Sequence, residues 1–243
     1  SSFADINLHP RVVPHRMIVM KTLPSFLAVK SIPALFWSAP KALTIRPPIV
    51  SLVILCAGLI VFGLGEAMLI TSGLGVSPWT VLGQGITNVT GWSIGTATFV
   101  ISIAVLVLWV PLKQMLGIGT VLNAVIIAFV IDLSLPYLPQ PDHTILQVAQ
   151  AFLGVSMVGC GSAIYLIANL GPGARDGLMT GLQKLTKIPF MWIRAEIEVV
   201  VVIVGWSLGG VVGVGTLIFA LGIGPAVSAS LFGLNRLFGR PVS

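Results

Sequence analysis

The chain has 243 residues, of which 13 are Lys or Arg and 7 are Asp or Glu; 8% are charged, 56% are hydrophobic and the mean hydropathy is +1.05. A soluble domain carries about 25% charged residues, and a chain with so few could not cover its surface in water. This excludes a soluble globular enzyme, a disordered chain and a disulfide-rich secreted domain, and leaves an all-α polytopic membrane protein.

In chain order, residues 1–47 come first as a basic segment. Residues 20–39 imitate a signal peptide, with a Lys, an apolar stretch and small residues, but Pro24 and Pro33 interrupt it and no A-x-A site follows. An interfacial position is expected. Phe26, Leu27, Leu35, Phe36 and Trp37 would sit at the headgroup boundary, and Lys30 and Lys41 on anionic lipid. A disordered tail and a targeting sequence are the alternatives.

A helix needs about 20 apolar residues to cross a hydrocarbon core of about 30 Å. Six runs approach that length: 48–71, 95–112, 118–136, 145–168, 190–209 and 213–235. They divide the chain into a first unit of three spans (48–136), a short outer connection (137–144), a second unit of three spans (145–235) and a tail (236–243). Cys56 and Cys160 fall inside apolar runs and read as small buried residues.

Basic residues give the orientation. Arg11, Arg16, Lys21, Lys30, Lys41 and Arg46 precede the first run. Lys113 lies between the second and third, and Arg175, Lys184 and Lys187 between the fourth and fifth. Arg236 and Arg240 follow the last, while 72–94, 137–144 and 210–212 have no Lys or Arg. By the positive-inside rule both termini are cytoplasmic. The +6 formal charge therefore records topology and does not point to nucleic acid.

The chain also repeats at a shift of 96 residues without a gap. Gly58, Gly63 and Gly65 map onto Gly154, Gly159 and Gly161, Leu74-Gly75 onto Leu170-Gly171, and Gly117-x-Gly119-Thr120 onto Gly213-x-Gly215-Thr216. Three spans per unit is odd, so the two copies would enter the membrane from opposite sides, as two inverted three-helix repeats. After its first span each copy has a segment broken by Gly and Pro, 73–94 and 169–189, with a short helix expected near 78–89 and 174–186. Open backbone must be satisfied by protein or water. Matching breaks in two repeats point to a binding site between them; a surface loop carrying an interfacial helix is the other reading.

LGVSPW at 74–79, GIGT at 117–120, ANLGPGARDGLM at 168–179, WIRAEIE at 192–198 and GVGTLIFALGIGP at 213–225 resemble the bacterial YitT/YczE-like integral membrane family over roughly 48–235. The resemblance implies a transporter-like membrane fold in a bacterial inner membrane. It also implies an acidic residue after SPW, where this chain has Thr80; the repeat partner, Asp176, is acidic.

Ionisable groups within spans cost about 2.5–3.5 kcal/mol on insertion scales, so they are functional candidates. Glu66, beside Gly63 and Gly65, is either an ion-binding carboxylate or a wetted group near the outer end of its span. Arg194 and Glu198 are i,i+4 on one helix face. They form either a self-satisfied pair or an anion anchor with a switchable partner, and Glu196 is rotated away from them. Arg175 and Asp176 follow the Gly171-Pro172-Gly173 break, where Asp176 suits a helix N-terminus. Folding inward, they would join Arg194 and Glu198 in a gating cluster. Secondary candidates are Asn123, Asp132 (with wetting at the interface as its bland reading) and Trp79; Trp79, Trp92 and Trp192 are expected as interfacial anchors.

His9, His15 and His143 lie outside the spans, and the sequence has no Walker A, HExxH or GxSxG pattern. No enzyme, metal or cofactor is expected. The leading expectation is a secondary transporter or exporter of a small solute or ion, embedded in the lipid bilayer, with its site between the repeats. The alternative is a membrane assembly factor or complex subunit docking through its basic N-terminal segment, with a homo-oligomer also open.

Overall fold

A computed structural model describes residues 32–44 and 46–239. The expected placements of Phe26, Leu27 and Lys30 lie outside the described residues. All regular structure among the described residues is helical: α1 (Ile49–Thr71), α2 (Pro78–Thr90), α3 (Ile94–Trp109), α4 (Ile118–Ser134, continued by a 3-10 turn at Leu135–Tyr137), α5 (Thr144–Ala168), α6 (Ala174–Thr186), α7 (Phe190–Ser207) and α8 (Val214–Phe238).

The boundaries follow local chemistry. Ser77 precedes α2 with Pro78 at its first position, and Gly91 ends it at φ 76°. The Ser93 hydroxyl caps α3 by accepting from Thr96 N–H at 3.1 Å. Asn169 ends α5 in the left-handed region and Lys187 ends α6 there, two residues before Pro189.

Four helical segments are long and apolar enough to cross a membrane: α1, α4 with its 3-10 turn, α5 and α8. The other two expected runs differ for physical reasons. α3 has only 16 residues, and its axis turns 113° from that of α2 at a short break. α7 has 18 residues but carries Arg194, Glu196 and Glu198 in its first half.

α1 and α5 form the central antiparallel pair. Gly58 lies against Ile164 and Tyr165, and Gly65 against Gly154 and Val158, so one helix descends as the other rises. A Cβ on Gly65 would lie 2.7 Å from the Gly154 carbonyl oxygen, and one on Gly154 would lie 2.8 Å from that of Gly65. Only glycine permits this backbone approach. α4 packs on α1 and α8 on α5, while α2 packs on α7 and α3 on α6.

The breaks before α2 and α6 are held by the N-termini of α8 and α4. Gly215 N–H donates to Leu74 O at 2.8 Å, and Gly119 N–H donates to Leu170 O at 2.8 Å. Gly75 and Gly171 adopt φ of 109° and 115° at these crossings, in a region that favours glycine.

Residues 32–39 correct one expectation. Leu35, Trp37 and Ala39 are buried in the same apolar cluster as Leu55, Ile167 and Leu231, while Ile32, Ala34 and Phe36 are exposed. Ala39 N–H bonds to Ala168 O and Asn169 Nδ2 to Ala39 O, which ties the segment to the end of α5. These residues pack on protein because the end of α5 and its cap leave backbone groups that the segment satisfies.

Candidate functional site

The two short helices are interior elements. α2 buries Pro78, Trp79, Thr80, Val81, Gly83 and Gly85, and α6 buries Ala174, Gly177, Leu178, Met179 and Gly181. Gly85 packs on Gly205 of α7. Gly177 packs beneath Trp109 of α3, whose indole N–H donates to Ala174 O at 2.9 Å. An interfacial surface loop is therefore not what 73–94 and 169–189 form.

Between these helices and α1, α3, α4, α5, α7 and α8 lies a cavity of about 480 Å³. Of the expected site residues, Arg175, Asp176, Arg194, Glu198, Trp79 and Asn123 line it. Its apolar wall includes Phe62, Val158, Phe219 and Ile223, four members of one packed cluster.

The charged groups are arranged in three ways. Arg194 Nε donates to Glu198 Oε1 at 2.8 Å, with the two side chains 38% and 20% exposed. Asp176, in the first turn of α6, accepts from the Tyr165 hydroxyl at 2.6 Å. Arg175 makes neither an ion pair nor a side-chain hydrogen bond among the described residues; its guanidinium stands 5.1 Å from the centre of the Trp79 ring. Glu66, Asp176 and Glu198 are the carboxylates whose charge bears on it.

Glu66 does not line the cavity. It is 1% exposed, and its Oε2 accepts from Ser77 Oγ and Thr80 Oγ1, both at 2.8 Å. Oε1 has no hydrogen-bond partner among the described residues. The wetted reading of Glu66 is thereby corrected, because Ser77 and Thr80 at the start of α2 close over its carboxylate and it is removed from solvent. Thr80 stands where the family resemblance implied an acid, and here it donates to an acid supplied from α1.

Asp132 and Glu196 fall elsewhere. Asp132 accepts from Ser93 Oγ at 2.5 Å and from Gly95 N–H at 2.7 Å, so it anchors the start of α3. Glu196 is exposed on the far side of α7. Trp79, expected as an interfacial anchor, is 7% exposed and belongs to the cavity wall, whereas Trp92 and Trp192 are well exposed. Trp79 is drawn inward because it occupies the first turn of a helix packed inside the protein.

Thr98, Ser102, Ser162 and Tyr165 also line the cavity and were not singled out in the sequence. Thr98 and Ser102 sit 96 positions before Arg194 and Glu198, and Ser162 sits 96 after Glu66. For Thr98, Ser102 and Ser162 the repeat register was the signal that could have found them; Tyr165 has only Leu69 as its counterpart.

An all-helical chain with several membrane-length apolar helices around a polar-tipped cavity is a multi-pass membrane protein. The chain belongs to the family of unknown function DUF6198, which it matches over residues 49–231. It is 39% identical over 209 residues to an uncharacterized protein of Haemophilus influenzae, covering 86% of this chain and 95% of that one. It is also 31% identical over 178 residues to the uncharacterized membrane protein YczE of Bacillus subtilis, covering 72% of this chain and 82% of that one, which places it among YczE-like proteins. A further relative, YyaS of Bacillus subtilis, is 27% identical over 166 residues. No solved structure matches.

Proposed function

We propose that the chain is a secondary transporter of a small solute, and not an enzyme. Its site would be the cavity, between two inverted three-helix repeats that cross a bacterial inner membrane six times with both termini in the cytoplasm. The observation that carries this reading is the lining of the cavity. Positions 96 apart line it together: Trp79 with Arg175, which are in contact, Thr98 with Arg194, Ser102 with Glu198, Asn123 with Phe219 and Ile127 with Ile223. The paired hydrogen bonds at Leu74 and Leu170 and the reciprocal glycines of α1 and α5 support the same duplication. A site on the axis relating two repeats can open alternately to either side as one repeat rocks against the other. In this scheme the lone α3 and the charged α7 cross the membrane shielded by α2 and α6.

The charges are unequally shared. Arg175, Asp176, Arg194 and Glu198 all come from the second repeat, opposite Trp79, Thr80, Thr98 and Ser102 of the first. Buried Glu66 is the first repeat's single acid near the site and the candidate for ion coupling. Docking of a partner through the N-terminal segment draws less support, since Leu35, Trp37 and Ala39 are already packed against this chain's own helices.

The test needs no knowledge of the solute. Cys56 and Cys160 are replaced by Ser, and Ser102→Cys is introduced into the cavity wall. A membrane-impermeant thiol reagent is then applied to right-side-out and inverted vesicles. Labelling from both faces is expected; labelling from one face only, under all ionic conditions, would refute alternating access.

A further inference from the structure

We propose that the cavity binds a small zwitterion with an apolar body, of the apolar amino-acid type, with its carboxylate on Arg175, its ammonium on Asp176 and its apolar portion against Phe62, Val158, Phe219 and Ile223. The proposal rests on reading the cavity as the solute site.

Three features of the wall lead to this ligand. Arg175 and Asp176 are neighbours in the chain and both line the cavity, yet they do not form an ion pair with each other. Each is held by a different aromatic ring. The Trp79 face supports the guanidinium and the Tyr165 hydroxyl fixes one carboxylate oxygen, Oδ2. The in-plane N–H groups of Arg175 and the second oxygen of Asp176 have no hydrogen-bond partner among the described residues. Opposite charges left side by side without a direct ion pair within an apolar structure are costly unless something else completes them.

The second feature is Thr98. It is 3% exposed, lines the cavity, and its Oγ1 has no hydrogen-bond partner among the described residues. A buried hydroxyl without a partner costs about 1–3 kcal/mol, and a side-chain rotation that carries Oγ1 from beside Gly83 to the cavity would let a ligand head group satisfy it.

The third feature is charge balance. The lining carries two guanidinium groups, Arg175 and Arg194, and two carboxylates, Asp176 and Glu198. A zwitterion adds one charge of each sign and preserves that balance. The Arg194–Glu198 pair already satisfies itself, so Arg175 and Asp176 are the open positions. The apolar wall belongs to a packed cluster that includes neither Trp79 nor the charged groups, so the ligand's two ends have separate surfaces to meet.

The experiment is isothermal titration calorimetry on the full chain in detergent and in lipid nanodiscs. The probes are L-leucine and L-phenylalanine, the carboxylate-only 4-methylpentanoate and 3-phenylpropanoate, and the amine-only isoamylamine and phenethylamine. Both amino acids are expected to bind about 10-fold or more tightly than either single-charge series, the loss set by one missing charged hydrogen bond. Asp176→Asn should weaken amino acids and amines but leave the carboxylates unchanged, and Arg175→Gln should do the converse. The ligand series on the unmodified chain stands even if a variant misfolds. Equal affinity for single-charge analogues, or no saturable binding of either amino acid to the folded chain, would overturn the proposal. Labelling of Ser102→Cys from both faces without amino-acid binding would leave the transport reading standing and discard this one. Amino-acid binding with one-sided labelling would do the reverse.

Discussion

Replacing Gly65 by Ala tests whether the α1–α5 seam is built on backbone contact. The new Cβ would stand 2.7 Å from Gly154 O, 2.7 Å from Val158 N and 2.9 Å from Val158 Cγ2, where ordinary contact begins at 3.4 Å. Two of these three atoms are backbone, so no rotamer change relieves them and the helices must part by about 0.7 Å. A gap of 0.5–1 Å forfeits about a quarter to a half of the dispersion energy of each facing atom pair, and overpacking of this kind costs about 1–3 kcal/mol. Against this, Ala is favoured over Gly in a helix interior by about 0.8–1.0 kcal/mol. Gly233→Ala on α8 isolates that second effect, because a Cβ there meets nothing within 4 Å. Gly65→Ala should therefore unfold more easily than Gly233→Ala by about 1–3 kcal/mol. Adding Gly154→Ala to Gly65→Ala should cost less than the sum of the two, since the first has already parted the helices. The assay is SDS titration in mixed micelles followed by far-UV circular dichroism. Equal stability of Gly65→Ala and Gly233→Ala, within about 0.5 kcal/mol, is below the least overpacking cost and would refute the close-packed seam.

Arg194→Ala separates structure from function: the partly exposed i,i+4 pair is worth no more than about 0.5 kcal/mol, so the Tm should scarcely move, while solute counterflow in proteoliposomes should be lost. Retained counterflow with an unchanged Tm would remove Arg194 from the site. Thr80→Val deletes one of the two hydroxyls that bond to Glu66 Oε2. It should cost about 1–3 kcal/mol by the same SDS titration, and Ser77→Ala should cost a similar amount. No loss in either variant would mean that α2 does not hold Glu66 in the way described.

Much of this architecture was legible along the chain because its causes are local. Pro78 after Ser77, Gly91, and Gly171-Pro172-Gly173 interrupt or start helices wherever they occur, and the expected short helices near 78–89 and 174–186 lie within a residue of α2 and α6. The i,i+4 spacing of Arg194 and Glu198 gave their pairing, and the same geometry turned Glu196 away. The charged group at Arg175 and Asp176 was likewise readable, since a break beside an amphipathic short helix brings both toward the protein interior.

Other features depend on contacts between segments distant in sequence. Glu66 is sealed by Ser77 and Thr80 only because the chain between α1 and α2 returns the start of α2 to its carboxylate. Trp79 reads as a membrane-interface tryptophan until α6 brings Arg175 to its face. Tyr165 belongs to an apolar run, and nothing nearby in the sequence announces that its hydroxyl meets Asp176. Asp132 becomes the anchor of α3 because the antiparallel return of α4 brings it to Ser93 and Gly95.

The sequence by itself determined that this is a helical membrane protein, where its chain is broken, and which few charges need explaining. Those properties follow from the apolar fraction, from backbone dihedral limits and from the 3.6-residue helical period, none of which needs a partner segment. Only the tertiary structure decided which of those charges share a cavity, which are sealed away and which face outward. Helix periodicity defines a face but not what it meets; that depends on the 113° turn between α2 and α3 and on the glycine-permitted approach of α1 to α5.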